Sequence, residues 1–272
     1  MTTRHDKVRA YYSAFDEWGR LDSPEGVIEF RRALDVLDTY LAPSSRVLDL
    51  GGGPGRYAVE LAQRGHRIVL ADISPELLEA ARQKFVQLAL LPLIESIDEV
   101  NAVDLSLYAD GSFDAVVAFG PFYHLVSEDE RKQAAREIQR VLRPNGMVFA
   151  AFIPRISGVA GLIERAANRP EQVPPEVLRS AAETGVFRNA TNSGFQEGYY
   201  PLPGEFVSLF ETSGFRIVDA MSLKSIACGL GEHVARLDAP LRFEVERLVT
   251  DMSRQSEVIA TSGHALLVAC RI

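Results

Sequence analysis

Four glycines fall between positions 51 and 55 in the stretch VLDLGGGPGRYAVELAQRG, residues 47 to 65. The apolar run before them reads as a buried strand, and the apolar residues after them return at helical spacing. A strand that turns through glycines into a helix brings bare main chain close to a ligand and aims the helix's first N–H groups at negative charge. A phosphate loop would need Lys-Ser or Lys-Thr after the last glycine, and neither follows. A dinucleotide fingerprint would need glycine at position 56, where Arg56 stands; the actual spacing, through Gly51, Gly53 and Gly55, is G-x-G-x-G. Asp72 ends the next apolar run, where a carboxylate can accept from both hydroxyls of a ribose. That feature fits NAD and an adenosyl ligand alike.

These residues need a scaffold that gathers strand ends. Residues 5–42 read as helical, with Tyr11, Tyr12, Phe15 and Trp18 early and Val27, Phe30, Leu34, Leu37 and Leu41 following at helical spacing. Strands are expected at 46–51, 67–72, 97–102, 113–120 and 147–153. Helices alternate with them: one over about 55–64, one capped by Ser74 with Pro75 behind it, and one opened by a Ser127/Glu130 capping box and stopped by RPNG at 143–146. Such alternation implies a doubly wound α/β fold, with ligands at the carboxyl ends of a parallel sheet.

Residues 155–205 break the rhythm with a helical piece at 157–167, a Pro-rich joint at 170–175 and the stretch NATNSGFQEGYYPLPG. A cap insertion is the preferred reading, over an ordinary loop-rich connection. A helix ending at Gly214, the strand FRIVDAM, a charged helix near 237–253 and the strand HALLVACRI complete the chain. The expected organisation is an N-terminal helical lid (1–45), a Rossmann-like core (46–154), a cap and substrate insertion (155–205) and a C-terminal return to the core (206–272).

The 272 residues carry a net charge of -8, which argues against a general binder of nucleic acid or anionic membrane. Cys228 and Cys270 are too far apart for a CxxC pair, and no His, Cys, Asp or Glu grouping has metal-ligand spacing. The first residues lack a signal peptide's apolar core, and no apolar run reaches the ~20 residues of a membrane span. A cytoplasmic protein without membrane or nucleic-acid partners is expected; oligomeric state is not legible.

Taken in order, VLDLGGGPG, LADIS, NAVDLSLYADGSFDAVVAFGPFYHL and EIQRVLRPNGMVFAAF resemble the class I S-adenosylmethionine-dependent methyltransferases, and YYPLPGEFVSLFETSGF resumes the likeness. The resemblance implies a seven-stranded, mostly parallel Rossmann-like sheet with S-adenosylmethionine as cofactor. Asp49, Gly51, Gly53 and Gly55 would cradle its amino-acid end, Asp72 its ribose and Ile73 its adenine. Where the family has Gly-Asp-Ala before the fourth strand, this chain has Val100, Asn101 and Ala102, so Asn101 would accept without charge; Asp104 and Leu105 are the fallback contacts. Phe119 and Gly120 would lie near the transferring methyl. Aromatic faces attract a sulfonium by about 0.5–2 kcal/mol, which makes Tyr11 a further cofactor candidate.

Methyl transfer is an in-line displacement that needs a nucleophile about 3 Å from the methyl, with a general base when the nucleophile is a hydroxyl. His124 is the candidate base and Tyr123 its neighbour; the alternatives are a histidine that only contacts cofactor or backbone and a tyrosine that only packs. Arg155, Tyr199 and Tyr200 are candidate acceptor-binding residues, with a surface ion pair the competing reading for Arg155. His5, His66 and His233 carry less, and His264 reads as a structural group on the last strand. In GPFY, Gly120 replaces the side chain that accepts from a planar amine in methyltransferases of bases and amides, which disfavours that class. The reading is therefore a small-molecule methyltransferase, oxygen favoured over nitrogen or carbon. An NAD-dependent oxidoreductase, a methyltransferase acting on protein and a binding scaffold without turnover stay open.

Overall fold

Near-continuous apolar runs make the central strands of one sheet buried on both faces. The computed structural model describes residues 16–191 and 194–272. In chain order the strands are β1 (Arg46–Leu50), β2 (Arg67–Asp72), β3 (Ile94–Glu99), β4 (Phe113–Ala118), β5 (Leu142–Phe152), the short β6 (Val186–Arg188) and β7 (Glu197–Tyr199), β8 (Phe215–Ser222) and β9 (Ala265–Arg271). Seven of them form a sheet in the order β3-β2-β1-β4-β5-β9-β8, while β6 and β7 make a separate hairpin. The pairs β1–β2, β1–β4, β2–β3 and β4–β5 are parallel; β9 runs against both β5 and β8. This is the expected seven-stranded, mostly parallel, doubly wound sheet.

The helices are α1 (Glu17–Arg20), α2 (Pro24–Tyr40), α3 (Arg56–Gln63), α4 (Pro75–Gln87), α5 (Glu128–Val141), α6 (Arg155–Asn168), α7 (Pro175–Thr184), α8 (Pro203–Thr212), α9 (Gly231–Ala235), α10 (Ala239–Met252) and α11 (Ser256–Thr261). Successive strand side chains point to opposite faces. Val47, Ile68, Leu70, Val117 and Val268 therefore pack beneath α2, α3 and α4, and Leu48, Leu50, Val116, Val148 and Leu267 beneath α5 and α8. Phe30, Ala33, Leu34 and Leu37 bury one stripe of α2 in the first of these cores. Among the described residues before β1, α2 is thus a layer of the core, while Glu17 and Arg20 of α1 and Leu21 reach the ligand edge. Ser23 starts α2 by accepting from Gly26 N–H at 3.0 Å, with Pro24 in the first helical position.

Local detail departs from the sequence reading in three places. Strand β3 spans 94–99 rather than 97–102 because, at the sheet edge, its pattern of Glu95, Asp98 and Glu99 stays half wet. Ser127 stands at the start of α5, yet its side chain makes no cap bond there. Helix α5 ends at Val141 as expected, but RPNG is no loop before the strand: it bulges within β5 between the Phe113–Leu142 and Ala115–Met147 pairings, with Asn145 at a φ of 63°.

The insertion has its own small core of Leu162, Val173, Ala181, Phe187 and Tyr200, built by α6, α7 and the hairpin. Among the described residues no helix is long and apolar enough to cross a membrane.

Candidate active site

At the carboxyl end of the sheet, the tips of β1, β2 and β4 open into a cleft of about 1090 Å³, its open mouth included. The order β2-β1-β4 puts the first topological switch of the sheet here, where open α/β sheets bind ligands. Asp49, Gly51, Gly53, Asp72 and Ile73 line one half of it, and Asn101, Ala102, Phe119, Gly120, Tyr123 and His124 the other. Eleven positions scattered over 76 residues of sequence thus converge on one cavity.

Gly55 is not on the wall. It starts α3 with a φ of 81°, and a Cβ there would lie 2.9 Å from the Phe85 ring, so it sets the packing of α3 against α4 instead of touching a ligand. The loop also spends its donors internally: Gly51 and Gly52 N–H donate to Ala71 O at 2.7 and 3.2 Å, and Gly53 N–H donates to Asp72 Oδ2 at 2.8 Å. What the loop offers a ligand is close approach more than a ring of free N–H groups.

Two buried acids set the electrostatics. Asp72 accepts from Gly53 N–H and, through Oδ1, from Ser74 N–H at 2.9 Å; burial pushes its carboxyl up and these N–H groups pull it back. Asp49 is 1 % exposed, and its Oδ2 has no partner among the described residues. Burial, and then the charge of Asp72, pushes Asp49 up to about 7, with the Ala58 N–H pulling the other way. A buried carboxylate oxygen left unpaired in a cleft asks for a cationic ligand.

The far wall is the single turn of 3-10 helix at Phe122–His124. Phe122 is core, packed on Phe206 and Phe210, which fixes the turn. The Tyr123 and His124 rings lie 4.7 Å apart, and Phe195 of the insertion stands 5.3 Å from His124. Strand β7 packs on the same turn. Arg155, Tyr199 and Tyr200, by contrast, do not line the cleft. The Arg155 guanidinium donates to Tyr200 O, Glu183 O and Glu205 Oε2 (2.7 Å), while Tyr199 donates to Glu205 at 3.2 Å beneath the Arg131 guanidinium, 3.5 Å from its ring. These three residues fasten the insertion to the core. Asp104 and Leu105 lie off the wall as well, Leu105 in the core. Tyr11 lies outside the described residues.

Sequence reasoning missed the near wall altogether. Glu17, Arg20, Leu21, Arg56 and Tyr57 line the cleft beside the glycine loop. Arg56, the bulky residue where a dinucleotide site has glycine, lies over Trp18 at 4.8 Å and Phe30 at 5.0 Å and pairs with Asp22 at 2.7 Å. Arg20 reaches Glu17 at 2.8 Å and the buried Glu29 at 3.0 Å; Glu29 also meets Lys224 at 3.5 Å and His264 Nδ1 at 3.0 Å.

Comparison with known proteins agrees with this geometry. Residues 47–146, the glycine loop through β5's bulge, match the family described as "Methyltransferase domain". The chain is similar to demethylmenaquinone methyltransferase of Deinococcus radiodurans, 37% identical over 175 residues, which cover 63% of this chain and 68% of that one. It is also similar to the tRNA 5-carboxymethoxyuridine methyltransferase of Escherichia coli K12, 28% identical over 39% of this chain and 40% of the relative. Among solved structures, the 1,6-didemethyltoxoflavin-N1-methyltransferase of Burkholderia thailandensis superimposes with a TM-score of 0.59 at 17% identity, over 98% of this chain and 86% of that one. With the loop, the two acids and the strand order in place, the chain belongs to the class I S-adenosylmethionine-dependent methyltransferases, and S-adenosylmethionine is its cofactor.

Proposed function

We propose that the enzyme methylates a small-molecule acceptor, at oxygen in preference to nitrogen or carbon, by in-line displacement. The cleft's own side chains fit the cofactor. Asp49 holds an unpaired buried oxygen for positive charge, and Asp72 keeps lone pairs for a ribose diol beyond its two backbone bonds. Gly51 and Gly120, both on the cleft wall, touch so closely that a Cβ on Gly120 would lie 2.8 Å from the Gly51 carbonyl oxygen, so the wall there is bare main chain. When bound, the cofactor supplies a methyl group already activated by its sulfonium.

The chain's part is then to orient, to exclude water and to take a proton. Asp49 and Asp72 favour the cationic ligand electrostatically, and Phe119, edge-on to Tyr57 at 4.7 Å, offers aromatic surface beside it. Tyr123 and His124 bring the titratable groups of the 122–124 turn to the wall where an acceptor would meet the methyl.

The observation that carries the small-molecule reading is the seating of the insertion: β7 and Phe195 close over the turn that bears Tyr123 and His124, which narrows access to them. Gly120 offers no acceptor for the planar amine of a nucleobase, and the net charge of -8 opposes RNA. The quinone-ring and toxoflavin chemistries in the names of two similar proteins favour the same class, against one tRNA enzyme.

The test is to incubate a cell extract with the enzyme and methyl-tritiated S-adenosylmethionine and to count label by fraction. Label is expected among organic-extractable small molecules. Label confined to RNA or protein would overturn the proposal.

A further inference from the structure

S-adenosylmethionine ends in an α-amino acid, so its cleft has to hold a carboxylate beside two positive groups. The glycine loop has few donors left for that carboxylate. Gly51 and Gly52 N–H donate to Ala71 O, Gly53 N–H to Asp72 Oδ2 and Gly55 N–H to Gly52 O at 3.0 Å. In the first turn of α3, the Ala58 N–H is spent on Asp49. The acids Glu17, Asp49 and Asp72 line the same cleft and disfavour a further carboxylate wherever no cation stands beside it.

Two arginines line the cleft, Arg20 and Arg56. Arg56 is committed elsewhere: its guanidinium lies over the Trp18 and Phe30 rings, its Nη2 pairs with Asp22 and its Nε is buried. Arg20 is different. Its Nε donates to Glu17 Oε1 at 2.8 Å and its Nη1 to Glu29 Oε1 at 3.0 Å, while Nη2 donates to no described residue and is not sealed from solvent. Two clamped nitrogens fix the plane of the fork and leave the third as its open prong. The clamp is anchored in the interior. Glu29 is 2 % exposed and also meets His264 Nδ1 at 3.0 Å and Lys224 Nζ at 3.5 Å, whereas α1 has no buried residue of its own. Burying such a node costs desolvation that an apolar contact would avoid. What it supplies is a guanidinium held at the cleft with one nitrogen unspent.

We propose that Arg20 Nη2 holds the carboxylate of the cofactor's amino-acid end, and that the buried Glu29, braced by Lys224 and His264, aims it. The glycines then supply close approach and Asp49 a counter-charge, while recognition of the carboxylate belongs to α1. Arg20 touches the cofactor; Glu29 and Lys224 are positioning residues that act through it. The assignment stands apart from the nature of the acceptor, because it concerns the cofactor alone.

Calorimetry on the full chain with two ligands tests this. One is S-adenosylhomocysteine; the other is its decarboxylated analogue, S-adenosyl-3-thiopropylamine, which lacks only the carboxylate. Wild-type enzyme is expected to bind S-adenosylhomocysteine about 10- to 100-fold more tightly than the analogue. Arg20→Met should erase that preference by weakening S-adenosylhomocysteine by the same factor, while the Kd of the analogue stays within about threefold. Arg20→Lys, which keeps the charge without the fork, should recover part of it. Glu29→Gln should weaken S-adenosylhomocysteine several-fold and again spare the analogue, a selectivity that general loosening of the fold would not produce. Lys224→Met repeats that comparison with a part-buried side chain, in case the buried substitution prevents folding. A wild-type enzyme indifferent to the carboxylate, or an Arg20→Met variant that keeps its preference or weakens both ligands alike, overturns the assignment. Equal weakening of both ligands by Glu29→Gln and Lys224→Met makes the node a structural contact and overturns its positioning role.

Discussion

The main chain of Gly120 passes so close to Gly51 that a Cβ on Gly120 would sit 2.8 Å from the Gly51 carbonyl oxygen. The tips of β1 and β4 are thus pressed together where the cofactor's methyl end is expected. Gly120→Ala must separate them, and neither backbone can yield cheaply. It is expected to cost about 1–3 kcal/mol of stability and to weaken S-adenosylhomocysteine at least tenfold, read by thermal unfolding and calorimetry. Wild-type affinity in this variant would mean the contact does not shape the site.

Asp49 is expected to make cofactor binding pH-dependent. Its carboxyl, raised to about 7, favours the ligand-free fold while protonated, so this contribution to stability is lost as pH rises from about 4 towards 7. A cationic ligand favours the ionised form instead. Affinity for S-adenosylmethionine should therefore climb up to about pH 7 and level off above, with proton release on binding below it. Asp49→Asn should flatten that profile and raise the melting temperature of the free protein at pH 8 by roughly 2–8 °C. Calorimetry in buffers of different ionisation heat checks the first point; a slope of opposite sign refutes it.

Asp72 holds two loop N–H groups as well as facing the cleft. Asp72→Asn keeps the shape and loses the charge, while Asp72→Ala loses both. The alanine variant is expected to abolish measurable cofactor binding, and the asparagine variant to weaken it about 10- to 100-fold, since charged hydrogen bonds are worth about 1.5–3 kcal/mol. Equal, wild-type constants in both variants would remove Asp72 from the cofactor site.

Arg155 gathers two carbonyls and Glu205 at the root of the insertion. Arg155→Ala is expected to loosen the hairpin, to destabilise the protein by about 1–3 kcal/mol and to raise the acceptor KM with little change in cofactor affinity. Hydrogen exchange should quicken over 186–199 first. A selective loss of cofactor affinity would instead make the insertion part of the cofactor site.

What the sequence reveals is what is written locally. The glycine loop, Asp72 and the buried strands β1, β2, β4 and β9 are legible because each is a short, strongly patterned segment. The β6–β7 hairpin is not, being two strands of three residues each, and Pro174–Pro175 hides α7 behind what reads as a joint. Arg155 reads as an acceptor ligand from its place after β5, but only the return of the chain at Tyr200 and Glu205 shows what it holds. Arg20, Glu29, Lys224 and His264 are harder still. Each is ordinary in its own segment, and the reversed direction of one strand makes them neighbours. The oxidoreductase alternative turned on a spacing, G-x-G-x-G against G-x-G-x-x-G, that the Arg56 side chain occupies physically.

Trp18, the chain's single tryptophan, lies between the Arg56 guanidinium and the Lys84 ammonium, each 4.8 Å from its ring, one residue from Glu17 on the cleft wall. The protein consequently carries a built-in optical gauge of its own mouth. Titration with S-adenosylhomocysteine should shift or quench the indole emission in a saturable way, and Arg56→Ala should blunt that signal; emission indifferent to the ligand would show that this rim keeps its shape as the site fills.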